Sequence, residues 1–391
     1  MNEATNTQIS DLLEIARSMK PRLRERAESV EKNRVVSGET IAEFHKAGFF
    51  KVLQSKKYGG FELPPVTLTD IIFEIASACG STGWTLAVLA LHQWEVRFLS
   101  EQAQDDIWGE NPDKLLSSAY VPSGSVEPTE GGYLLSGDWP YSSGCDHAQW
   151  AIVGGIRPPA GPGEQPVLCA FFVPSTEYEI IDDWNTMGLA GTGSKTLRLK
   201  KVFVPQHRQH PIFGAAEPAP ADASPIYHIP FAMVFVDMLA ATCQGIAYGA
   251  YEQYVERNKK RTAALDRAKY SESPDVHRCI AETEFVIRSA VALRQQNQIY
   301  ALEAAKEGRQ IDTIEKARHL WESSKSVHAC TEATGKLYAM SGAHTIFEGD
   351  SLQRALRDIQ SGATHVAFNA SLFGRNYGAM HMGQPNNLAF I

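Results

Sequence analysis

The stretch GDWPYSSGCDH, residues 137–147, lies in the one strand-rich part of a sequence that is otherwise helical. Just before it, GGYLLS at 131–136 has a glycine turn followed by an apolar and polar segment typical of a β-strand. An apolar segment at 150–153 predicts a second strand just after it. Two adjacent hydroxyls, a glycine and two aromatic residues at a strand end favour one of two structures. They form either a Ser/Gly turn or a set of short donors against a flat, polar ring.

Length and charge narrow the class of protein. A chain of 391 residues exceeds the size at which a single core stops growing, so two or three subdomains are expected. The net charge of −8 argues against nucleic acid or an anionic membrane as the main partner. There is no uninterrupted run of 18 apolar residues, and the N-terminus has no signal-peptide pattern, so no membrane span and no secretion are predicted.

The six cysteines are scattered, with no CxxC pair and no histidine at ligand spacing. This pattern is typical of reduced thiols rather than of disulfides or a zinc site. The sequence therefore predicts a cytoplasmic protein without a metal.

Hydrophobic periodicity predicts helices throughout residues 1–115, which we assign to an N-terminal helical domain. We expect one helix up to about residue 20, a charged helix over 21–34 and a third over 39–48. Apolar helices are predicted over 68–78 and 86–98. The residues STGW (81–84) are expected to interrupt the chain between them.

The pattern changes over residues 116–210, where short alternating segments between turns predict a central antiparallel β domain. A Pro- and Ala-rich stretch, 210–224, predicts a linker. Long helices then predict a C-terminal four-helix bundle over 225–391, with helices at 231–263, 274–307, 311–340 and 351–373. The expected fold class is α+β, mostly α.

This order of domains resembles the acyl-CoA dehydrogenase architecture. The sequence is similar to the flavin-dependent monooxygenase branch of that superfamily, most closely to oxygenase components of two-component aromatic hydroxylases. Examples are the 3-hydroxy-9,10-secosteroid and 4-hydroxyphenylacetate hydroxylases. The resemblance covers essentially the whole chain and rests on the order and spacing of CGSTGW (79–84), HQW (92–94), SSAYVP (117–122), WPYSSGCDHAQW (139–150), GLAGTGSKT (188–196), VFVPQHR (202–208) and QRALRDIQSGATH (353–365).

The resemblance implies a cofactor and partners. Reduced FMN or FAD, supplied by a separate flavin reductase, would react with O₂. The resulting flavin C4a-hydroperoxide would hydroxylate an aromatic, phenolic substrate. The bundle would form a homotetramer, and the reductase would be a transient partner that either docks or releases flavin that diffuses freely.

The resemblance also implies which residues form the site. Ser143 matches a serine near flavin N5, and Arg261 matches an arginine that pairs with flavin phosphate, often across a subunit boundary. The remaining flavin contacts would come from Trp84, Ser117, Ser118, Ala119, Tyr141 and Ser142. The substrate side would be lined by Cys145, Gly191, Thr192, Gly193 and Ser194. A purely structural role is the alternative to a flavin contact for three of these predictions. Trp84 would then be a core residue, Ser118 a strand-end hydroxyl that satisfies local backbone, and residues 259–261 a solvated run of charges.

His92 and His365 are the acid–base candidates among twelve histidines. A histidine on an apolar helix is more often a packed residue than a catalyst. Both nevertheless match active-site histidines of the family, and imidazole has the ordinary pKa of a base near neutrality. Of the two, we expect His365 to take the phenol proton.

One motif points to another reaction. The residues FEG (347–349), followed by Gln353 and Arg354, resemble the Tyr-Glu-Gly motif that carries the catalytic glutamate of acyl-CoA dehydrogenases. Glu348 would then abstract a proton from an acyl-CoA. The residues WPYSSG (139–144) depart from the dehydrogenase pattern of tryptophan-isoleucine-threonine, so the monooxygenase is favoured. N- or S-oxygenation by the same fold stays open.

Overall fold

The computed structural model describes residues 3–159, 161, 163–212, 223–264 and 267–388. Within these ranges a block of helices is followed by a block of strands and a second block of helices. The first helices are α1 (Glu3–Asn33), α2 (Gly38–Ala47), α3 (Pro65–Ala76), α4 (Gly80–Glu95) and α5 (Glu101–Trp108). The strands are β1 (Leu116–Ala119), β2 (Ser125–Thr129), β3 (Gly132–Ser142), β4 (Trp150–Arg157), β5 (Val167–Pro174), β6 (Glu179–Ile181), β7 (Lys195–Pro205) and β8 (Gln209–Pro211). The last helices are α6 (Phe231–Lys260), α7 (Pro274–Lys306), α8 (Thr313–Ala339), α9 (Ser351–Ala363) and α10 (Ala370–His381).

Helix α1 is continuous, whereas the sequence predicted a new helix at Pro21. Proline removes one backbone hydrogen bond and costs about 3 kcal/mol inside a helix. The buried side chains continue at helical spacing on both sides of it, from Leu12 and Ala16 to Leu23 and Ala27. We attribute the unbroken helix to this packing, which outweighs the local cost of the proline.

Helix α4 begins at Gly80, so the prediction that residues 81–84 interrupt the chain is wrong. All its residues are buried, including Trp84. Gly83 permits close packing rather than a break, because a Cβ there would lie 2.5 Å from the Cβ of Ala76 on α3. The site residues of this segment therefore lie on a rigid helix.

The strands form two four-stranded sheets that enclose an apolar core. Their strand orders are β1-β4-β5-β8 and β2-β3-β7-β6. All pairs are antiparallel except β1 with β4, which the sequence analysis did not foresee. The chain between β1 and β4, which includes β2 and β3 of the other sheet, supplies the crossover connection that a parallel pair requires. Of the predicted linker, residues 213–222 lie outside the described part of the chain.

Helix α6 is the centre of the C-terminal bundle and packs against α7, α8 and α9. It is long and apolar enough to cross a membrane by composition, but 89% of its most apolar window is buried inside the protein. It is therefore packed as the central helix of a globular core. The predicted fourth helix ends at Ala363, and α10 begins at Ala370. Two side-chain caps, His365 and Asn369, accept backbone N–H groups at this break.

The contact of α6 with the loop after α3 has no room for a side chain at Gly249. A Cβ there would lie 2.1 Å from the Ser77 carbonyl oxygen, whereas one at Gly335 on α8 would meet nothing within 4 Å. We expect Gly249→Ala to lower the free energy of unfolding by about 1–3 kcal/mol, because backbone must move. Gly335→Ala should raise it by about 0.5–1 kcal/mol through helix propensity. Denaturant unfolding of both variants checks this, and equal effects would contradict it.

Candidate active site

One face of α4 carries the first wall of the site. Trp84, Val88 and His92 recur every four residues, which places them on the same side of the helix. The two outer side chains lie two turns apart, a separation of about 12 Å along the axis. The sequence predicted Trp84 and His92 as site residues, and the structure places both on one face of helix α4.

A group of hydroxyls lies at the Trp84 end of this face. Trp84 Nε1 donates to Ser143 Oγ at 3.2 Å, and Ser143 Oγ lies 2.7 Å from Ser194 Oγ. Ser194 Oγ is also 2.7 Å from Thr192 Oγ1. Ser143, predicted near the flavin, and the loop before β7, predicted to line the substrate side, are thus in direct contact.

The other residues predicted to contact the flavin differ in their surroundings. Ser142 Oγ donates to Ser117 Oγ at 3.0 Å, and both are fully buried. Ala119 lies in the core between the two sheets. Tyr141 is 63% exposed and its ring packs edge-on against Trp184, so only its backbone adjoins the hydroxyls.

Two further predicted residues have mainly packing contacts. Cys145 is buried in the sheet core and its Sγ lies 3.5 Å from the Gly193 carbonyl oxygen. Burial raises the pKa of its thiol to about 12, so the thiol stays protonated. Gly191 packs closely against Val30 of α1. Their proposed substrate contacts stay predictions.

The loop that carries Thr192 and Ser194 is anchored from the bundle. Asp358 on α9 accepts a hydrogen bond at 2.6 Å from the backbone N–H of Leu189, which has a positive φ of 52°. Burial raises the pKa of Asp358 to about 6. The sequence analysis missed this residue, although it lies in one of the stretches on which the resemblance rests.

His365 lies at the break between α9 and α10, next to Trp84. The two rings meet edge-on with their centroids 5.8 Å apart. His365 Nδ1 accepts the backbone N–H of Ala367 at 3.1 Å. The neutral ring therefore carries its proton on Nε2 and offers a donor, not an acceptor, to a ligand. Burial lowers the pKa of His365 to about 4, so the ring is neutral at pH 7.

His365 also borders a cavity of about 530 Å³ between α8 and residues 363–371. That volume is in the range of small-molecule sites. Trp321, Lys325, His328 and Glu332 form its opposite wall.

His92 lies in a buried polar cluster at the other end of the α4 face. Its Nδ1 is 2.8 Å from Glu95 Oε2, and His210 Nε2 is 3.2 Å from Glu95 Oε1. The Tyr120 hydroxyl donates to the same carboxylate. Burial by itself would raise the pKa of Glu95, but hydrogen bonds from His210 and His92 outweigh it and lower it to about 2. His92 Nε2 is buried and has no hydrogen-bond partner among the described residues.

Aromatic rings connect the two ends of the face. The centroid of Phe235 on α6 lies 5.9 Å from that of His365 and 6.0 Å from that of Tyr120. Tyr120 in turn lies 6.0 Å from His92. We call Trp84, His92, Tyr120, Phe235 and His365 the aromatic wall. The rings contact one another in the order Trp84, His365, Phe235, Tyr120 and His92. Helix α4 carries the first and the last of them.

Four residues of this site were not predicted from the sequence: Tyr120, Phe235, Glu95 and His210. Glu95 follows His92 by three residues, a helical spacing that could have identified it. Tyr120 stands within the quoted stretch 117–122. Phe235 and His210 carry no local signal, because only the packing of α6 and β8 brings them near α4.

Arg261 and Glu348 are not brought to this site within one chain. Arg261 follows the end of α6, and the 25 helical steps from Phe235 to Lys260 span about 38 Å. Its guanidinium packs on the Tyr270 ring at 4.0 Å. Glu348 is exposed near the same end. The length of α9, about 20 Å, separates it from Ala363 beside the site.

Two family models match the chain. The acyl-CoA dehydrogenase N-terminal domain matches residues 10–108, and the acyl-CoA dehydrogenase C-terminal domain matches residues 238–370.

Three relatives are similar over nearly the whole chain. The oxygenase subunit HsaA of a flavin-dependent monooxygenase from Rhodococcus jostii (strain RHA1) is 35% identical and covers 93% of this chain and 96% of its own. The oxygenase component of an FADH(2)-dependent resorcinol hydroxylase from Rhizobium sp. (strain MTP-10005) is 32% identical, with 92% and 91% covered. That of p-hydroxyphenylacetate 3-hydroxylase from Acinetobacter baumannii is 30% identical, with 95% and 89% covered.

A solved structure agrees with these similarities. The 3-HSA hydroxylase from Rhodococcus sp. RHA1 superposes with a TM-score of 0.91 at 32% identity, covering 97% of this chain and 99% of that one. The predicted family and fold class are confirmed.

The low pKa of His365 predicts a pH-dependent stability. In the unfolded chain a histidine has a pKa near ~6.5, whereas the folded value is about 4. The stabilising contribution of the neutral ring is therefore complete above pH 6.5 and is lost as the pH falls to 4. His365→Asn keeps an acceptor for the Ala367 N–H but does not titrate.

The stability difference between wild type and His365→Asn should shrink by about 3 kcal/mol between pH 7 and pH 4. Denaturant unfolding at several pH values measures this difference. A difference that stays constant over this range would show that the ring is not held neutral by burial.

Proposed function

The chain belongs to the acyl-CoA dehydrogenase family, in its branch of flavin-dependent monooxygenases, and we propose that it hydroxylates a phenolic ring held between His92 and His365. It is the oxygenase component of a two-component enzyme, with reduced flavin as its cofactor. The proposal of a phenolic substrate rests on the aromatic wall. This wall includes both His92 and His365, and the hydroxyl groups lie at its Trp84 end.

The residues around Ser143 suit a flavin. Hydroxyls of Ser143, Ser194 and Thr192 and the indole N–H of Trp84 form a compact set of donors and acceptors beside an aromatic plane. Thr85 Oγ1, next to Trp84, is buried without a partner among the described residues. When bound, reduced flavin supplies the reaction with O₂ and the transfer of one oxygen atom.

We assign flavin contacts to Ser143, with Trp84, Tyr141, Ser142 and residues 117–119 around it. Ser143 accepts the Trp84 N–H, so its own proton is free to be donated to Ser194 or to a ligand. Arg261 would serve the flavin phosphate of a neighbouring protomer, since it is far from the site of its own chain.

The two histidines differ in what they offer a substrate. Glu95 is ionised and can only accept, so His92 Nδ1 carries a proton and the unpaired Nε2 is an acceptor. His365 offers Nε2–H. This geometry favours His92 rather than His365 as the group that takes the phenol proton, which revises the expectation from the sequence. His365 would then donate to the substrate or the flavin.

The remaining parts of the proposal concern organisation. We place domain boundaries at 1–115, 116–210 and 225–391, where the observed elements change class. A homotetramer formed through the bundle is supported by Phe285 and Ile299, which are 72% and 54% exposed on nearly the same side of α7. A cytoplasmic location is supported by the six free, buried cysteines. The reductase would meet the oxygenase transiently.

Activity should require reduced flavin from outside. The purified chain with NADH should neither oxidise NADH nor convert resorcinol or 4-hydroxyphenylacetate, because it supplies only the oxygenase half of the reaction. Adding a flavin reductase with FMN or FAD should produce hydroxylated product, measured by chromatography against NADH consumed. NADH oxidation by the chain alone would contradict the two-component proposal. Bleaching of bound oxidised flavin by an acyl-CoA would favour the dehydrogenase with Glu348.

Substitutions of His92 and of Glu348 distinguish the monooxygenase from the dehydrogenase. A phenol has a pKa near ~10, so His92→Gln should slow oxygen transfer by about 10²–10⁴-fold, with partial recovery at high pH. H₂O₂ should rise in place of product while binding of reduced flavin persists. Glu348→Gln, exposed and distant, is the control and should behave as wild type. A His92→Gln enzyme with unchanged coupling of product to flavin would remove His92 from the reaction.

A further inference from the structure

Glu95 is a shared acceptor buried under the substrate side of the site. Its fully buried carboxylate meets donors from three separate elements: His92 on α4, Tyr120 after β1 and His210 on β8. Each oxygen is occupied, Oε1 by His210 and Oε2 by His92 and Tyr120. A carboxylate accepts only, so every one of these partners must bring a proton.

His210 carries a proton on both ring nitrogens in this geometry. Its Nε2 faces Glu95, and its Nδ1 lies 2.8 Å from the carbonyl oxygen of Pro211, which also can only accept. The ring is therefore an imidazolium, and its charge balances that of Glu95 inside the core. With Glu95 already neutralised by His210, nothing in the cluster requires a second positive charge on His92.

His92 is then left with one open position. Its Nδ1–H is used by Glu95, and its Nε2 lone pair is buried with no partner among the described residues. An unpaired buried acceptor is unfavourable until a donor binds it. Because His92 shares the α4 face with Trp84, that donor is a water molecule or a ligand that lies inside the aromatic wall.

We infer that Glu95, held by His210, is a positioning residue that fixes His92 with its acceptor nitrogen toward the substrate. It thereby selects a ring that bears a hydroxyl over the matching methyl ether. The reaction to which this selection applies rests on the proposed function, whereas the state of His92 does not. Glu95 touches no substrate and acts through the orientation of the imidazole.

The state of His92 is tested first on the protein alone. Long-range ¹H–¹⁵N spectra of the ¹⁵N-histidine-labelled full chain distinguish a proton on Nδ1 from one on Nε2. A His92→Gln sample assigns the signal. We expect the Nδ1–H form in wild type and its loss, or a mixture of both forms, in Glu95→Gln. An Nε2–H form in wild type would overturn the inference, whatever the enzyme proves to hydroxylate.

The consequence for substrates is tested with the complete system, including a flavin reductase. The probes are 4-methylphenol and 4-methylanisole, which differ by one methyl group on oxygen. Glu95→Gln should lower kcat for 4-methylphenol by about 10- to 100-fold, the effect seen when a partner that orients a metal-bound histidine is removed. It should also reduce the preference for 4-methylphenol binding over 4-methylanisole binding, with reduced-flavin affinity unchanged. Glu95→Asp, which keeps the charge, should restore part of both.

Asp106→Asn is the matched control. Asp106 Oδ2 lies 2.8 Å from His207 Nε2 and accepts a hydrogen bond from Arg208 Nε at 2.6 Å. Both partners stand within three residues of His210 in the chain, but Asp106 lies outside the aromatic wall. It should leave kcat and the phenol preference as in wild type. If Glu95→Gln and Asp106→Asn change only thermal stability, Glu95 is a tether of β8 and the inference fails. If wild type converts no phenol but shows the Nδ1–H form of His92, only the proposed function fails.

Discussion

Close packing of backbone between α3, α4 and α6 is the constraint on which the site depends. At Gly83 and Gly249 a single added methyl group would collide with Ala76 or with the Ser77 carbonyl. The absence of side chains at these contacts lets α4 be buried along its whole length. A helix that is fully enclosed has one allowed position, so its side chains are placed without freedom to adjust. Trp84, His92 and Glu95 all depend on it.

The same enclosure explains the electrostatics. A carboxylate as buried as Glu95 is strongly disfavoured unless hydrogen-bonded partners surround it, and it has three. At the opposite end of the site the hydroxyls of Ser143, Ser194 and Thr192 lie within hydrogen-bond distance of one another, and burial keeps His365 neutral. The site thus has one histidine that presents an acceptor and one that presents a donor, set by their neighbours rather than by residue type.

Much of the fold could be predicted from local pattern. Helical periodicity, strand alternation and the loss of both at turns indicated the order of helices, strands and helices. Two of the errors come from packing that outweighed a local signal, and the third comes from side chains that cap the backbone. Pro21 did not end α1, Gly83 did not interrupt α4, and the long helix predicted over 351–373 broke where His365 and Asn369 cap the backbone.

The sequence by itself determined the family and the fold class, and it predicted the candidate site residues on α4, after β3 and before β7, because these lie in short stretches with specific spacing. Only the tertiary structure decided what they do together. It brought His210 of β8 within 3.2 Å of a carboxylate 115 residues earlier and Phe235 beside His365. It also separated Glu348 from the site by the length of α9. Hydrogen-bond partners fix which nitrogen of an imidazole carries the proton, and partners far apart in the chain are defined only once it is folded.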